Sequence, residues 1–155
     1  MTPYSQLIQT LCANLAVEFD ETCDFLFIQT HDHEARVSAC ALHTGDEGLR
    51  IQVHVFTLPN SRDGATADAL RLLHRLNHDA RSLSPWHIVL DEHDEVLIEQ
   101  RHQLDRSSAF DVELALVDGL QRAKQLKDLL LDWVDDAPSS PTDPLHRSGA
   151  GLIFG

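Results

Sequence analysis

The sequence predicts one α+β domain with elements in the order α-β-β-β-α-β-β-α, and three observations carry that expectation. The apolar residues of this 155-residue chain recur with a helical period, switch to a period of two, and switch back twice. Clusters of Gly, Pro, Asp and Asn stand where the period changes. The length suits a single core, and 43% hydrophobic with 24% charged residues is an ordinary globular balance.

The first helix is expected over 2–18. Thr2 suits the N-cap and Pro3 the first helical position, where a missing N–H costs nothing. Tyr4, Leu7, Ile8, Leu11, Cys12 and Leu15 then form one broad apolar face, with Gln6, Gln9, Thr10 and Asn14 opposite. Three strands follow within 24–58. Phe25 to Ile28 is apolar on both faces of its pleat, which predicts a strand that is central or covered on both sides. Arg36 to Leu42 alternates Val37, Ala39 and Ala41 against Ser38, Cys40 and Leu42. After the turn Thr44–Gly48, Leu49, Ile51, Val53 and Val55 alternate with Arg50, Gln52, His54 and Phe56, a half-buried antiparallel pattern that ends at Pro59.

A short helix is expected over 65–78 from Ala69, Leu70, Leu72, Leu73 and Leu76. Trp86–Leu90 and Val96–Arg101 read as a hairpin around Asp91–Glu95. Ser108 and Asp111 have the spacing of a capping box, with Asp in place of Glu or Gln. The long helix over 108–134 carries Val112, Leu116, Leu120, Ala123, Leu126, Leu130 and Trp133 on one stripe, and would span roughly 40 Å. Residues 135–155, rich in Asp, Pro, Ser and Gly, read as a mobile tail with one apolar island at Leu152-Ile153-Phe154.

Charge narrows the function. Asp and Glu number 25 against 12 Lys and Arg, a net charge of −13. That field repels phosphate backbones and anionic lipid surfaces, so neither nucleic acid nor membrane is an expected partner. A basic or neutral polypeptide suits it, although acidity that serves solubility alone is the plainer account. Cys12, Cys23 and Cys40 match neither a zinc knuckle nor a redox pair, and no stretch resembles a signal peptide or a membrane span. A cytoplasmic protein is expected.

Catalytic patterns are absent. His31 with His33, and His74 with His78, could each bring two imidazoles together, but no third ligand follows and no Glu completes a zincin motif. Asp46-Glu47 and the acidic run 91–95 lack EF-hand spacing and read as solvated turns. Gly149-Ala150-Gly151 follows no strand, and neither a phosphate loop nor a nucleophile elbow is present. No metal, no cofactor and no enzyme activity are expected.

Three stretches carry a family resemblance: the Leu-rich helix 4–15, the segment Ala69-Leu-Arg-Leu-Leu-His-Arg-Leu-Asn77, and the closing Leu129-Leu-Leu-Asp-Trp133. With the element order and the small acidic chain, they make nearly all of 2–134 similar to the class I type III secretion chaperones of the Tir-chaperone type. The tail lies outside the resemblance, and the His-rich strand ends depart from it. The resemblance implies a homodimer whose subunit is a twisted antiparallel sheet packed by two longer helices, with the short helix near the interface. It implies a bacterial cytoplasmic protein that keeps the N-terminal segment of a secreted effector extended and export-competent, with the export ATPase as a further partner. A regulator or adaptor of the same fold without secreted cargo is the alternative, and a small metal-dependent enzyme using the histidines a more distant one.

Residues follow for both interfaces. Leu70, Leu73, Leu76 and Trp86 are expected near the dimer interface, because the helix is short and leucine-rich around much of its circumference; the competing account is that they fill the monomer core. For the effector, alternation puts Leu26, Ile28, Leu42, Phe56 and Leu58 on the pleat face opposite Phe25, Phe27, Val37, Ile51, Val53 and Val55. Bare apolar surface of that size calls for a cover, either an extended cargo segment or the protein's own helices.

Overall fold

The computed structural model describes residues 2–18, 20, 25–58, 64–79 and 83–136. Its order is α1 (Pro3–Leu15), β1 (Phe25–Gln29), β2 (Glu34–Ala41), β3 (Glu47–Thr57), α2 (Gly64–His78), β4 (His87–Leu90), β5 (Glu95–Gln103), a 3₁₀ turn (Leu104–Arg106) and α3 (Ala109–Asp136). The long helix thus runs past the expected end at 134. The rest of the expected tail, 137–155 with its Leu152-Ile153-Phe154 island, lies outside the described residues, as does Cys23.

Local chemistry sets the ends. The Thr2 side chain accepts from the Ser5 N–H at 3.1 Å, and Pro3 opens α1. Ala16, at φ 54°, closes it, and the Val17 N–H returns to the Cys12 carbonyl at 2.9 Å. At α3 the capping box forms with Asp: Asp111 Oδ2 accepts from the Ser108 N–H at 2.8 Å while Ser108 Oγ accepts from the Asp111 N–H at 3.2 Å.

The five strands form one antiparallel sheet in the order β1-β2-β3-β5-β4. α1 and α3 lie on one face, over Ala35, Val37, Leu49, Ile51, Val53 and Ile98, all buried. α2 sits between α3 and β4. Trp86 is 3% exposed and stands over α3, its Nε1–H donating to Asp118 Oδ2 at 2.8 Å, an oxygen that also accepts from Arg122 Nε at 2.8 Å. Gly119 makes this approach possible, since a Cβ there would lie 2.5 Å from Trp86 Cη2. Turned away from the sheet, α3 exposes Phe110, Leu114 and Val117 at i, i+4 and i+7.

Register corrects the expected faces. β1 and β2 are joined through a two-residue turn at His31-Asp32, closed by the Thr30 N–H to the His33 carbonyl at 2.8 Å. That turn pairs odd with even positions, Leu26 with Val37 and Ile28 with Ala35. Leu26 and Ile28 therefore point to the core, and Phe25 and Phe27 point the other way. At the far end of β3, a bulge between His54 and Phe56 pairs Phe56 with buried Val96, so Phe56 also packs on the core. Leu58 is buried. Leu42 lies in the β2–β3 turn with its side chain against Gly48.

Candidate cargo-binding edge

Among the described residues β1 is the outer strand of the sheet and pairs with β2 alone. The closing pair at Thr30 and His33 fixes which main-chain groups turn inward. In an antiparallel ladder bonded and unbonded pairs alternate, so Ile28 and Leu26 bond to β2 while Phe25, Phe27 and Gln29 turn their N–H and C=O outward. β1 was expected to be central or covered on both sides. It is an edge strand with three residues able to receive another.

Beside that edge runs a groove of about 170 Å³ between α1 and β1. Its lining includes Tyr4, Ile8, Cys12, Val17, Leu26 and Phe27, and Glu18 and Asp20 stand on its rim. The α1 stripe that seals the core thus also supplies this wall. Tyr4 is fixed by its hydroxyl, which donates to the Val37 carbonyl at 3.3 Å, and burial pushes the Cys12 thiol up from its ordinary range. Phe27 is 47% exposed, and it borders both this groove and a wider depression of about 400 Å³ on the sheet face turned away from α1 and α3, with Gln52, His54 and Leu97. Phe25 is partly shielded by the Arg36 guanidinium, 3.8 Å above its ring. An extended segment added to β1 would gain main-chain bonds and two apolar surfaces, one against α1 and one against Phe27.

Of the expected effector residues, only Leu26 lines this groove. Leu58 is buried core, while Ile28 and Phe56 pack against the core and Leu42 sits at the opposite end of β2. Phe25 and Phe27 were assigned to the wrong face; their signal in the sequence was a strand apolar on both sides. The expected interface residues divide as well. Trp86 and Leu73 are buried inside the subunit, Leu76 is partly buried against the core, and Leu70 remains 38% exposed. Trp86 is spent on α3, which removes it from any surface.

Among the described residues the histidines and acidic turns hold no constellation. His33 is buried and its Nδ1 lies 3.1 Å from the His54 carbonyl, whereas His31 is exposed. His74 and His78 meet edge to face with centroids 4.4 Å apart. Asp91 Oδ1 accepts from the N–H groups of His93 and Glu95 at 2.8 and 2.9 Å, bonds that hold its carboxyl below the ordinary range and close a hairpin turn. Among the described residues no three His, Cys, Asp or Glu side chains are placed to hold a metal ion, and no helix is long and apolar enough to cross a membrane.

No family model and no curated protein matches this sequence. Solved structures do match. The type III secretion chaperone SycH of Yersinia pestis, in complex with a stable fragment of YscM2, is 16% identical at a TM-score of 0.51, over 77% of this chain and 96% of that one. A chain of the heterodimeric complex ExoU-SpcU, from the type III secretion system of Pseudomonas aeruginosa, is 16% identical at 0.56, over 81% and 96%. A chain of the HopA1-SchA chaperone-effector complex is 12% identical at 0.57, over 81% and 94%. The chain has their fold. The α+β architecture expected from periodicity is the architecture of these chaperone structures.

Proposed function

We propose that this chain is a bacterial type III secretion chaperone, class I and of the Tir-chaperone type, that binds the N-terminal segment of a secreted effector and keeps it extended in the cytoplasm until export. It works as a homodimer, without catalysis or cofactor, and hands its cargo to the export machinery, with the ATPase as a candidate contact. The observation that carries this reading is the open β1 edge beside an apolar groove, on a fold shared with chaperone–effector complexes. Main-chain bonds along Phe25, Phe27 and Gln29 would grip any extended sequence, and the groove would select alternate apolar side chains. The carboxylates of Glu18 and Asp20 on the rim favour cargo with basic flanks.

Co-purification from the native host followed by mass spectrometry identifies the cargo, and titration of its N-terminal segment tests the site. Phe27 faces away from the core, so Phe27→Asp should leave the circular dichroism unchanged. It should weaken cargo binding roughly ten- to a hundredfold, the worth of one buried phenylalanine. Undiminished binding by the folded variant would remove β1 from the site.

A further inference from the structure

The side chains beside the β1 edge change sign from one end to the other. Residues opposite one another on paired strands share a face. Phe25, Ser38, Arg50 and Arg101 therefore form one row on the sheet face turned away from α1 and α3. Phe27 with Arg36 belongs to the next row, and Gln29 with Glu34 to the one after. Arg36 does not point straight across. Its guanidinium sits 3.8 Å above the Phe25 ring, so it reaches over the edge strand, toward the Arg50 row and away from Glu34.

This cationic end is not neutralised from within. Arg101 is held by Glu99 at 2.7 Å, but no ion pair among the described residues involves Arg36 or Arg50. Arg50 Nε is also buried without a hydrogen-bond partner. Two unpaired guanidinium groups near an open edge stand out in a chain of net charge −13. Toward Gln29 the sign reverses, with Glu34 and Glu95 lining the wider depression.

Main-chain groups alone leave the register of an added strand undecided, so side chains must choose it. A segment added to β1 places the residue opposite Phe25 on the same face as that ring, next to the Arg36 guanidinium. A carboxylate there would gain a charge-assisted hydrogen bond, and a lysine would meet like charge. Four residues along, opposite Gln29, the neighbour is Glu34 and the preference is the reverse.

We propose that Arg36 determines specificity at the β1 edge: it selects an Asp or Glu in the cargo at the position opposite Phe25, and so fixes the register in which the segment binds. This selectivity rests on the cargo reading above and gives one position of the cargo its chemistry. Glu18 and Asp20 act separately, on flanks at the rim of the groove beside α1.

The experiment measures binding of three synthetic peptides at low salt by fluorescence anisotropy. Each is a short alternating valine–threonine segment, with glutamate, glutamine or lysine in place of the central threonine. Full-length wild type, Arg36→Gln and Phe27→Asp are compared. Wild type should hold the glutamate peptide roughly three- to tenfold more tightly than the lysine peptide. The net charge of −13 works against that order, so the order has to be set locally. Arg36 is exposed, so Arg36→Gln should keep its circular dichroism while the order is lost or reversed. Should Arg36→Gln fail to fold, Arg36→Met keeps an apolar stem over Phe25 and carries the same test. Equal affinities for the glutamate and lysine peptides in wild type would overturn the inference and leave strand addition at β1 in place. So would a preference for glutamate that the folded Gln or Met variant retains. If wild type binds none of the three, or Phe27→Asp does not weaken binding, the cargo reading itself fails and the selectivity of Arg36 with it.

Discussion

Replacing Gly119 with Ala tests how tightly Trp86 packs on α3. Helix propensity alone favours Ala inside a helix by about 1 kcal/mol. The surroundings oppose it. The added Cβ would lie 2.5 Å from Trp86 Cη2, 2.7 Å from Cζ2 and 3.1 Å from Val53 Cγ2, and the first two are closer than carbon atoms pack. Trp86 cannot swing aside freely, because its Nε1–H is held by Asp118 on the preceding residue of the same helix. Either the indole shifts and weakens that bond or α3 lifts from β3. Overpacking of this kind costs about 1–3 kcal/mol, and a weakened hydrogen bond to a charged group adds about 1.5–3 kcal/mol. Against the propensity gain, a net loss of about 1.5–5 kcal/mol is expected. At roughly 2–4 °C per kcal/mol for a chain of this size, the midpoint should fall by about 3–20 °C. Urea unfolding followed by circular dichroism measures the loss directly. A variant as stable as wild type, or more so, would mean that propensity governs this position and that the indole contact is loose.

Two further results are expected. Light scattering after size exclusion should give twice the monomer mass, and Leu70→Asp should reduce it to one; a monomeric wild type would refute the dimer. Stability should decline as pH falls below the ordinary histidine range near 6.5, because burial holds the His102 imidazole below that value and the unfolded chain therefore binds the proton first, a tendency only partly opposed by Asp111. Asp111 is held below the ordinary carboxylate range by its side-chain and main-chain bonds from Ser108, so its own contribution is lost only as pH falls further, below 3.8. His102→Gln should flatten the first decline and leave the second; an unchanged profile from neutral pH down to 5 would remove His102 from the account.

Element type was legible because each segment keeps one period long enough to be read, as in the α1 stripe Tyr4–Leu15 or the alternation Leu49–Val55. Faces were legible only within a strand. Nothing in 25–28 reveals that a two-residue turn will pair Leu26 with Val37, and that single register exchanged the two sides of β1. The bulge at Val55 is equally silent in sequence, and it turned Phe56 inward. The burial of Trp86 and Leu73 within the subunit was hidden for another reason: a large apolar side chain looks the same whether it fills a core or an interface, and only Gly119, thirty-three positions on, shows where the indole goes.

The edge at β1 poses a physical problem. An unpaired strand edge invites its own copies as readily as a partner. At β1 no described residue occupies the outward groups, so selectivity there has to come from the surroundings. Glu18 and Asp20 stand at the groove beside that edge, and the chain as a whole carries a net charge of −13. A second β1 edge would bring its own carboxylates against these, whereas a neutral or basic segment would not, and like-charge contact of this kind discriminates against the wrong partner. Acidity then takes part in recognition and not in solubility alone. Salt, by screening these charges, should therefore weaken the preference for a basic over an acidic flank on the same cargo peptide. Equal affinity for both flanks at low salt would leave solubility as the sufficient account.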